Sequence, residues 1–109
     1  MATATFLNEG IAVDYTASSA VTAGDVVVQE ALVGIAKRDI AAGAKDALAI
    51  RGAFRITKEA ELAIAAGEVV YWDASGKCVT KTSEGNTLMG KAIAAAADSD
   101  ATVDIILNQ

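Results

Sequence analysis

The sequence predicts a mainly β fold, a small single-domain barrel or sandwich of eight or nine short strands with one short helix. Short runs of apolar and β-branched residues alternate with Gly-, Ser- and Asp-rich turns along the whole chain. A four-residue phrase, an aliphatic residue, any residue and then Ala-Gly, precedes an apolar run three times, at residues 21–24, 40–43 and 64–67. Because glycine readily adopts the positive φ of a tight turn, each copy of the phrase indicates a turn that leads into a strand.

Four strands are predicted in the first half of the chain, at residues 11–16, 26–29, 32–37 and 47–56. In the first, apolar and polar residues alternate with a period of two, as in a half-buried strand. The fourth carries the clearest alternation, with four apolar side chains on one face and two arginines on the other. Gly52 interrupts its apolar row, which is common where a strand bends.

Residues 57–67 have the sequence features of a helix. Thr57 suits the N-cap, Glu59 and Glu61 lie in the first turn, and Gly67 stands just past the end. We therefore predict the single short helix here.

The second half predicts strands at residues 68–72, 77–82, 88–95 and 102–107, with a hairpin turn at 73–76. The strand at 68–72 is apolar on both faces, as a central or interface strand would be. The segment Leu-Met-Gly-Lys-Ala at 88–92 echoes Leu-Val-Gly-Ile-Ala at 32–36. This echo predicts that the two halves share one strand-turn-strand plan.

The length of 109 residues fits one domain, which we divide into an arm at residues 1–8 and a β domain at 9–109. The composition is 53% hydrophobic with a mean hydropathy of +0.38, but alanine and valine dominate it and aromatic residues make up 5%. We expect this light core to be supplemented by subunit contacts. Charges or glycines interrupt every apolar run, and the first residues do not form a secretory signal, so a soluble protein made in the cytoplasm is expected.

The charge and the residue inventory exclude several function classes. A net charge of −5 and a pI near 4.5 argue against nucleic-acid binding, which needs a clustered basic surface. The chain has no histidine and one cysteine, which excludes ordinary zinc sites and Ser-His or Cys-His catalytic pairs. We expect no cofactor, no metal site and no enzymatic activity. Cys78 and Trp72 are interpreted as buried residues, and Asp98 and Asp100 as turn residues rather than cation ligands.

Across nearly its whole length the chain resembles the small capsid cement, or decoration, proteins of tailed phages and prophages. The segment Ala-Gly-Glu-Val-Val-Tyr-Trp-Asp at 66–73 is the strongest part of the likeness, and the others, in order, are residues 9–16, 23–28, 32–36, 40–43, 49–54, 85–92 and 101–107. Each piece alone is weak, but their order and spacing together are specific. Residues 57–61 depart from the pattern, since a shorter, proline-containing connection is expected there.

The resemblance implies a protein that binds the outer surface of the mature phage head and clamps neighbouring major capsid subunits together. It also implies a homotrimer at threefold and quasi-threefold positions, with neither a nucleic-acid nor a membrane partner. From the residues we expect the extended, Thr-rich arm to add main-chain hydrogen bonds to a capsid strand. The arm contacts are placed at Thr3, Ala4, Thr5, Phe6 and Leu7, and the trimer contacts at Val70 and Trp72. The alternative is a β-type binding module outside a virion, either carbohydrate-binding or self-assembling.

Overall fold

The computed structural model describes residues 3–7 and 10–107, and this part of the chain folds into nine β-strands. Sheet 1 has the strand order β1-β4-β3-β2, sheet 2 has the order β5-β9-β8-β6-β7, and all neighbouring strands are antiparallel. The mainly β class and the number of strands confirm the prediction. The strands are β1 Ala12–Thr16, β2 Val26–Gln29, β3 Leu32–Ala36, β4 Lys45–Ala49, β5 Gly52–Thr57, β6 Val69–Asp73, β7 Cys78–Thr80, β8 Thr87–Ala92 and β9 Thr102–Leu107.

The two sheets repeat one plan. Strands β1, β4, β3 and β2 of sheet 1 correspond in order to β5, β9, β8 and β6 of sheet 2, and β7 is the additional strand. The register also repeats, because the directly paired row Ala12, Ala49, Ile35, Val26 in sheet 1 matches the row Ala53, Ile106, Lys91, Val69 in sheet 2. The plan predicted from the echo between residues 32–36 and 88–92 is therefore confirmed, and it extends over four strands in each half.

The three Ala-Gly phrases form equivalent turns. At each one the glycine has a positive φ, of 91°, 82° and 86° for Gly24, Gly43 and Gly67. A backbone hydrogen bond joins the ends of each turn, as in type II turns, which need glycine at this position. The aliphatic residues that open the phrases pair across the fold, Val21 with Ile40 and Ile64 with Ala96. Ala96 therefore opens a fourth turn at the corresponding place, which has the same backbone hydrogen bond but no positive φ and which the sequence phrase does not mark.

Sheet 2 curls on itself so that its two outer strands meet. Lys58, just after β5, forms a bridge with Val79 of β7, and the Glu59 N–H donates to the Val79 carbonyl at 2.9 Å. The buried Lys58 ammonium donates to the carbonyls of Glu59 at 2.9 Å and Leu62 at 2.6 Å. Sheet 2 is thus a half-barrel whose edge is closed by backbone contacts with Val79, and the Lys58 ammonium holds the segment that follows β5.

The helix predicted at residues 57–67 is wrong, since the described residues contain no helix. Thr57 ends β5, Glu61 has a φ of 58°, and Ile64 pairs with Ala96. The helix-forming preference of this segment is overridden by tertiary contacts, because its backbone pairs with Val79 of β7 and with Ala96.

The single strand predicted at residues 47–56 is also wrong, because the chain turns between β4 and β5. Gly52 has a φ of 124° at the start of β5, so the chain passes from sheet 1 to sheet 2 at this point. Leu48 accordingly belongs to one apolar cluster, whereas Phe54 and Ile56 pack against another. Of the other predicted strands, those at 26–29 and 102–107 have the predicted ends, and the rest differ by up to three residues, with β8 ending at Ala92 and β7 spanning Cys78–Thr80.

The core consists of two apolar clusters. The smaller lies on the inner face of sheet 1, which we define by Val13, Tyr15, Val27, Ala36 and Leu48. The larger lies between the sheets and joins the inner face of sheet 2 to the outer face of sheet 1. The inner face of sheet 2 carries Phe54, Ile56, Val70, Ala92 and Ile105, and the outer face of sheet 1 carries Val26, Val28, Val33 and Ile35. Sheet 1 therefore covers the open side of the half-barrel.

Candidate interaction surfaces

The exposed large apolar side chains of the described residues fall into two groups. One lies at the start of the chain, where Phe6 is 77% and Leu7 86% exposed and Ile11 is also exposed. The other lies on sheet 2, where Val69, Leu88, Ile93 and Ile106 are between 38% and 51% exposed. Exposed apolar groups that cluster in this way mark interaction surfaces.

The arm residues predicted to bind the capsid lie on the surface. Residues 3–7 are all exposed and none of them belongs to a strand. Residues 8 and 9, which the predicted boundary between arm and domain divides, lie outside the described residues. The exposed arm thus offers two large apolar side chains and an extended peptide to a partner.

The residues predicted to form trimer contacts, Val70 and Trp72, lie in the large core cluster, with 0% and 8% of their surface exposed. They occupy the inner face of β6, whereas Val69 and Tyr71 point to the outer face. Alternation along β6 showed that both faces are apolar but did not show which one is covered. The missing signal is the strand register, which pairs Val69 with the exposed Lys91.

The outer face of sheet 2 carries a compact apolar surface that we call the outer patch. Val69, Lys91 and Ile106 are directly paired across three strands, and Tyr71 and Leu88 form the adjacent pair. Ile93 follows β8, and its N–H donates to the Asp104 carbonyl at 2.9 Å, beside the same face. The outer patch consists of Val69, Tyr71, Leu88, Lys91, Ile93 and Ile106.

Each sheet carries an arginine–aspartate ion pair. Arg55 holds Asp104 through two hydrogen bonds of 2.7 and 3.1 Å, which lower the pKa of Asp104 and raise that of Arg55. Asp46 is held by Arg38 at 2.8 and 3.0 Å and accepts the Ala47 N–H, and these hydrogen bonds lower its pKa. In both pairs the arginine side chain is largely exposed, at 75% for Arg38 and 73% for Arg55.

The residues considered as candidate nucleophiles or metal ligands take part in the fold instead. Cys78 is buried, and burial together with Asp73 and Glu59 raises the pKa of its thiol, which disfavours the nucleophilic thiolate. Asp100 accepts the Ala97 N–H at 2.8 Å within its turn, as the turn interpretation predicts. Within the described part of the chain, no three His, Cys, Asp or Glu side chains lie close enough together to hold a metal ion.

A cleft of about 720 Å³ lies between the two sheets. Its walls include Val26 and Val28 from sheet 1 and Phe54, Ile56 and Trp72 from sheet 2. The burial of Trp72 leaves no flat indole surface of the kind that stacks on a sugar. Among residues 3–7 and 10–107, no helix has the length and hydropathy needed to span a membrane.

Comparison with known proteins decides between the classes left open by the sequence. The profile of the family described as phage cement protein matches residues 7–107 of the 109. The chain belongs to this family. It is therefore a structural component of the phage capsid with a cement role, as the sequence resemblance predicts. No curated protein and no solved structure matches the chain.

The matched range of the cement protein includes all nine strands and the outer patch. Of the predicted arm contacts it includes only Leu7, so residues 3–6 precede the part that the family shares. The surfaces of this cement protein that are open to partners are thus of two kinds, a β body within the family range and an arm that mostly precedes it.

Proposed function

We propose that this cement protein binds the outer surface of the mature phage head as a homotrimer at threefold and quasi-threefold sites and stabilises the expanded shell. The observation that carries the proposal is the family match over residues 7–107, joined to an exposed apolar arm at the end of the β body. Its partner is the major capsid protein. We further propose that the protein is made in the host cytoplasm and docks after the head expands.

Stabilisation of the shell in this way requires binding and no chemical reaction. A trimer that contacts several capsid subunits at once gains avidity from modest individual contacts, since each further contact is intramolecular. Because it binds the assembled lattice and not the separated subunits, it stabilises the shell by mass action. The acidic body, with a net charge of −5, avoids attraction to DNA during assembly.

The arm at residues 1–8 supplies the capsid contact, and the body at 9–109 supplies the rigid support. An extended peptide can add a strand to an exposed sheet edge through main-chain hydrogen bonds, while its side chains enter pockets beside that edge. Phe6 and Leu7 are exposed in the free protein and would become buried in such a contact. Thr3, Ala4 and Thr5 extend the strand.

Co-sedimentation with undecorated mature heads and with unexpanded procapsids tests the proposal. We expect saturable binding to mature heads alone, because the site forms only on expansion. The double variant Phe6→Ala, Leu7→Ala should lower the affinity for heads at least tenfold while the circular dichroism spectrum of the body is unchanged. Thr22→Ala, a truncation at an exposed turn residue of the body outside both apolar groups, is the control and should bind normally. Absence of binding to either particle would refute the cement site on mature heads, and normal binding by the double variant would refute the role of the arm.

A further inference from the structure

Among the described residues, the two halves of the chain contact each other through a single pair of sheet faces. The outer face of sheet 1, with Val28, Val33 and Ile35, packs into the large cluster over the inner face of sheet 2. The reverse contact, in which the outer face of sheet 2 would cover the inner face of sheet 1, is not made, since the outer patch is exposed. Each half therefore uses a different one of its two faces in the contact within the chain.

Equivalent positions show how much of the outer face is left uncovered in sheet 2. Ile106 is 42% exposed, whereas Ala49 at the same register position of sheet 1 is 4% exposed. Val69 is exposed where Val26 is half-buried, although both are valines. The outer patch thus keeps the apolar character of a covered face, while none of residues 3–7 and 10–107 covers it.

The inner face of sheet 1 is also incompletely covered. In sheet 2, Val70 and Ile105 are fully buried beneath sheet 1. The corresponding face of sheet 1 buries Leu48, but Val13, Tyr15 and Val27 at its centre and edge are only half-buried. This face has the same strand register as the inner face of sheet 2 and lacks the layer that covers the latter.

We propose that the outer patch of one copy packs on the inner face of sheet 1 of a second copy, so that copies associate head to tail. The proposal rests on the self-association in the proposed function and names the two surfaces that make it. The contact repeats between chains the packing that already joins the two halves within a chain. A contact between two different faces closes into a ring when its rotation is a fraction of a full turn, and a trimer is such a ring.

Charge favours this pairing over contact between two outer patches. Lys91 lies at the centre of the outer patch and, among the described residues, has no carboxylate within salt-bridge distance. Two outer patches face to face would bring two such ammonium groups together. The inner face of sheet 1 instead carries the Asp46 carboxylate, which Arg38 already holds, so Lys91 meets a neutralised pair there rather than a second free ammonium. The methylene stem of Lys91 can cover apolar surface while its ammonium stays at the rim of the contact.

Sedimentation equilibrium on the purified chain tests the surface without any capsid. We expect the wild-type protein to self-associate and Ile106→Glu to raise the dissociation constant at least tenfold, because a carboxylate would be buried in an apolar contact. Leu7→Glu places the same charge on an exposed apolar residue of the arm, outside both surfaces, and should leave the constant unchanged. Circular dichroism shows that both variants fold. Undiminished association of Ile106→Glu overturns the proposal and leaves the trimer itself intact.

Cross-linking tests the head-to-tail arrangement. In a Cys78→Ala background, Ile106→Cys and Val13→Cys place one thiol on the outer patch and one on the inner face. A short bis-maleimide should link a mixture of the two variants into dimers and should not link either variant alone. Efficient linking of Ile106→Cys to itself would show a two-fold contact between outer patches and overturn the proposal. A wild-type chain that stays monomeric at every concentration also overturns it, whereas capsid binding is decided separately by co-sedimentation.

Discussion

The two halves of the molecule have the same strand order and register but differ in what covers them. In sheet 1 the row Val26, Ile35, Ala49 is half-buried or buried, and in sheet 2 the corresponding row Val69, Lys91, Ile106 is exposed. The strand order and register are therefore the same whether or not the outer face of the sheet is covered. The difference indicates that turns and alternation determine the repeated sheet, while the relative placement of the halves determines which apolar face remains available to a partner.

A second difference lies in the connection that follows β2 and β6. In sheet 1 the two residues Glu30 and Ala31 join β2 directly to β3, with Glu30 at a φ of 55°. In sheet 2 the connection contains β7, and the ladder between β6 and β8 is irregular between Val70 and Tyr71. The added strand gives sheet 2 a partner for Lys58 and closes the half-barrel. Sheet 1, which lacks such a strand, stays open.

Truncating equivalent core residues gives the largest expected effect and tests the difference in packing. Ile105 and Leu48 occupy the same register position, and both are almost fully buried. Ile105→Ala and Leu48→Ala should each lower the free energy of unfolding by about 2–5 kcal/mol. The loss should be greater for Ile105, whose surroundings are covered by sheet 1. Urea denaturation followed by tryptophan fluorescence measures both, and equal losses would contradict a difference in covering between the halves.

Removal of the Lys58 ammonium tests how the segment that follows β5 is held at the closing edge of the half-barrel. Lys58→Met keeps the apolar stem and removes two hydrogen bonds to carbonyls, with an expected loss of about 2 kcal/mol. Sheet 1 has Ala17 at the corresponding place, and Lys45→Met at an exposed site serves as the control for the loss of a charge. Thermal unfolding measures the effect. Unchanged stability of Lys58→Met would show that the bridge to Val79 alone holds the closing edge of the half-barrel.

The turns offer a smaller, internally matched test. Gly67→Ala forces a side chain into a φ of 86° and should cost about 1 kcal/mol, although the added methyl group meets no neighbour. Ser99 lies at the corresponding position of the fourth turn, whose residues have negative φ, so Ser99→Ala should change stability little. Urea midpoints compare the two variants. A similar loss in both would show that the turns differ less than their backbone angles indicate.

The smallest expected effect is the pH dependence of the ion pairs. The folded-state pKa values of Asp46, Glu68 and Asp104 are lowered by hydrogen bonds to Arg38, the Ala65 N–H and Arg55 respectively. Their stabilisation is therefore complete above the unfolded-state pKa of about 4 and is lost as pH falls through the lower folded-state values. The melting temperature should decrease below pH 4, and Asp104→Asn should make that decrease shallower. An unchanged pH profile in this variant would contradict a role for the Arg55 pair.

The strands and turns were predictable because their signals are local. The alternation at residues 11–16 and the Ala-Gly phrases locate most strands, and the echo at 88–92 reveals the repeated plan. The helix at 57–67 was predicted wrongly because the bridges of Lys58 to Val79 and of Ile64 to Ala96 are non-local. The predicted strand at 47–56 was divided for the same reason, since only the sheet pairing shows that β4 and β5 belong to different sheets.

The candidate surfaces were predictable to a lesser degree. The Thr-rich arm is exposed, as a capsid-binding segment must be, but its function is not evident from its position. Alternation along β6 separates Val70 and Trp72 from Val69 and Tyr71 without showing which pair is covered. That choice depends on where sheet 1 packs, which no local pattern encodes.

The repeated register also poses a problem for folding. During synthesis β1 through β4 emerge first, and β5, which has the register of β1, could pair with β4 before β9 is available. Such a mispaired intermediate would place Phe54 beside Leu48 in the position of Val13. Val13 and Phe54 occupy equivalent positions but differ in volume, so β5 would not pack beside Leu48 as β1 does. Unequal side-chain volumes at equivalent positions therefore favour the native pairing of each half over an exchange of strands.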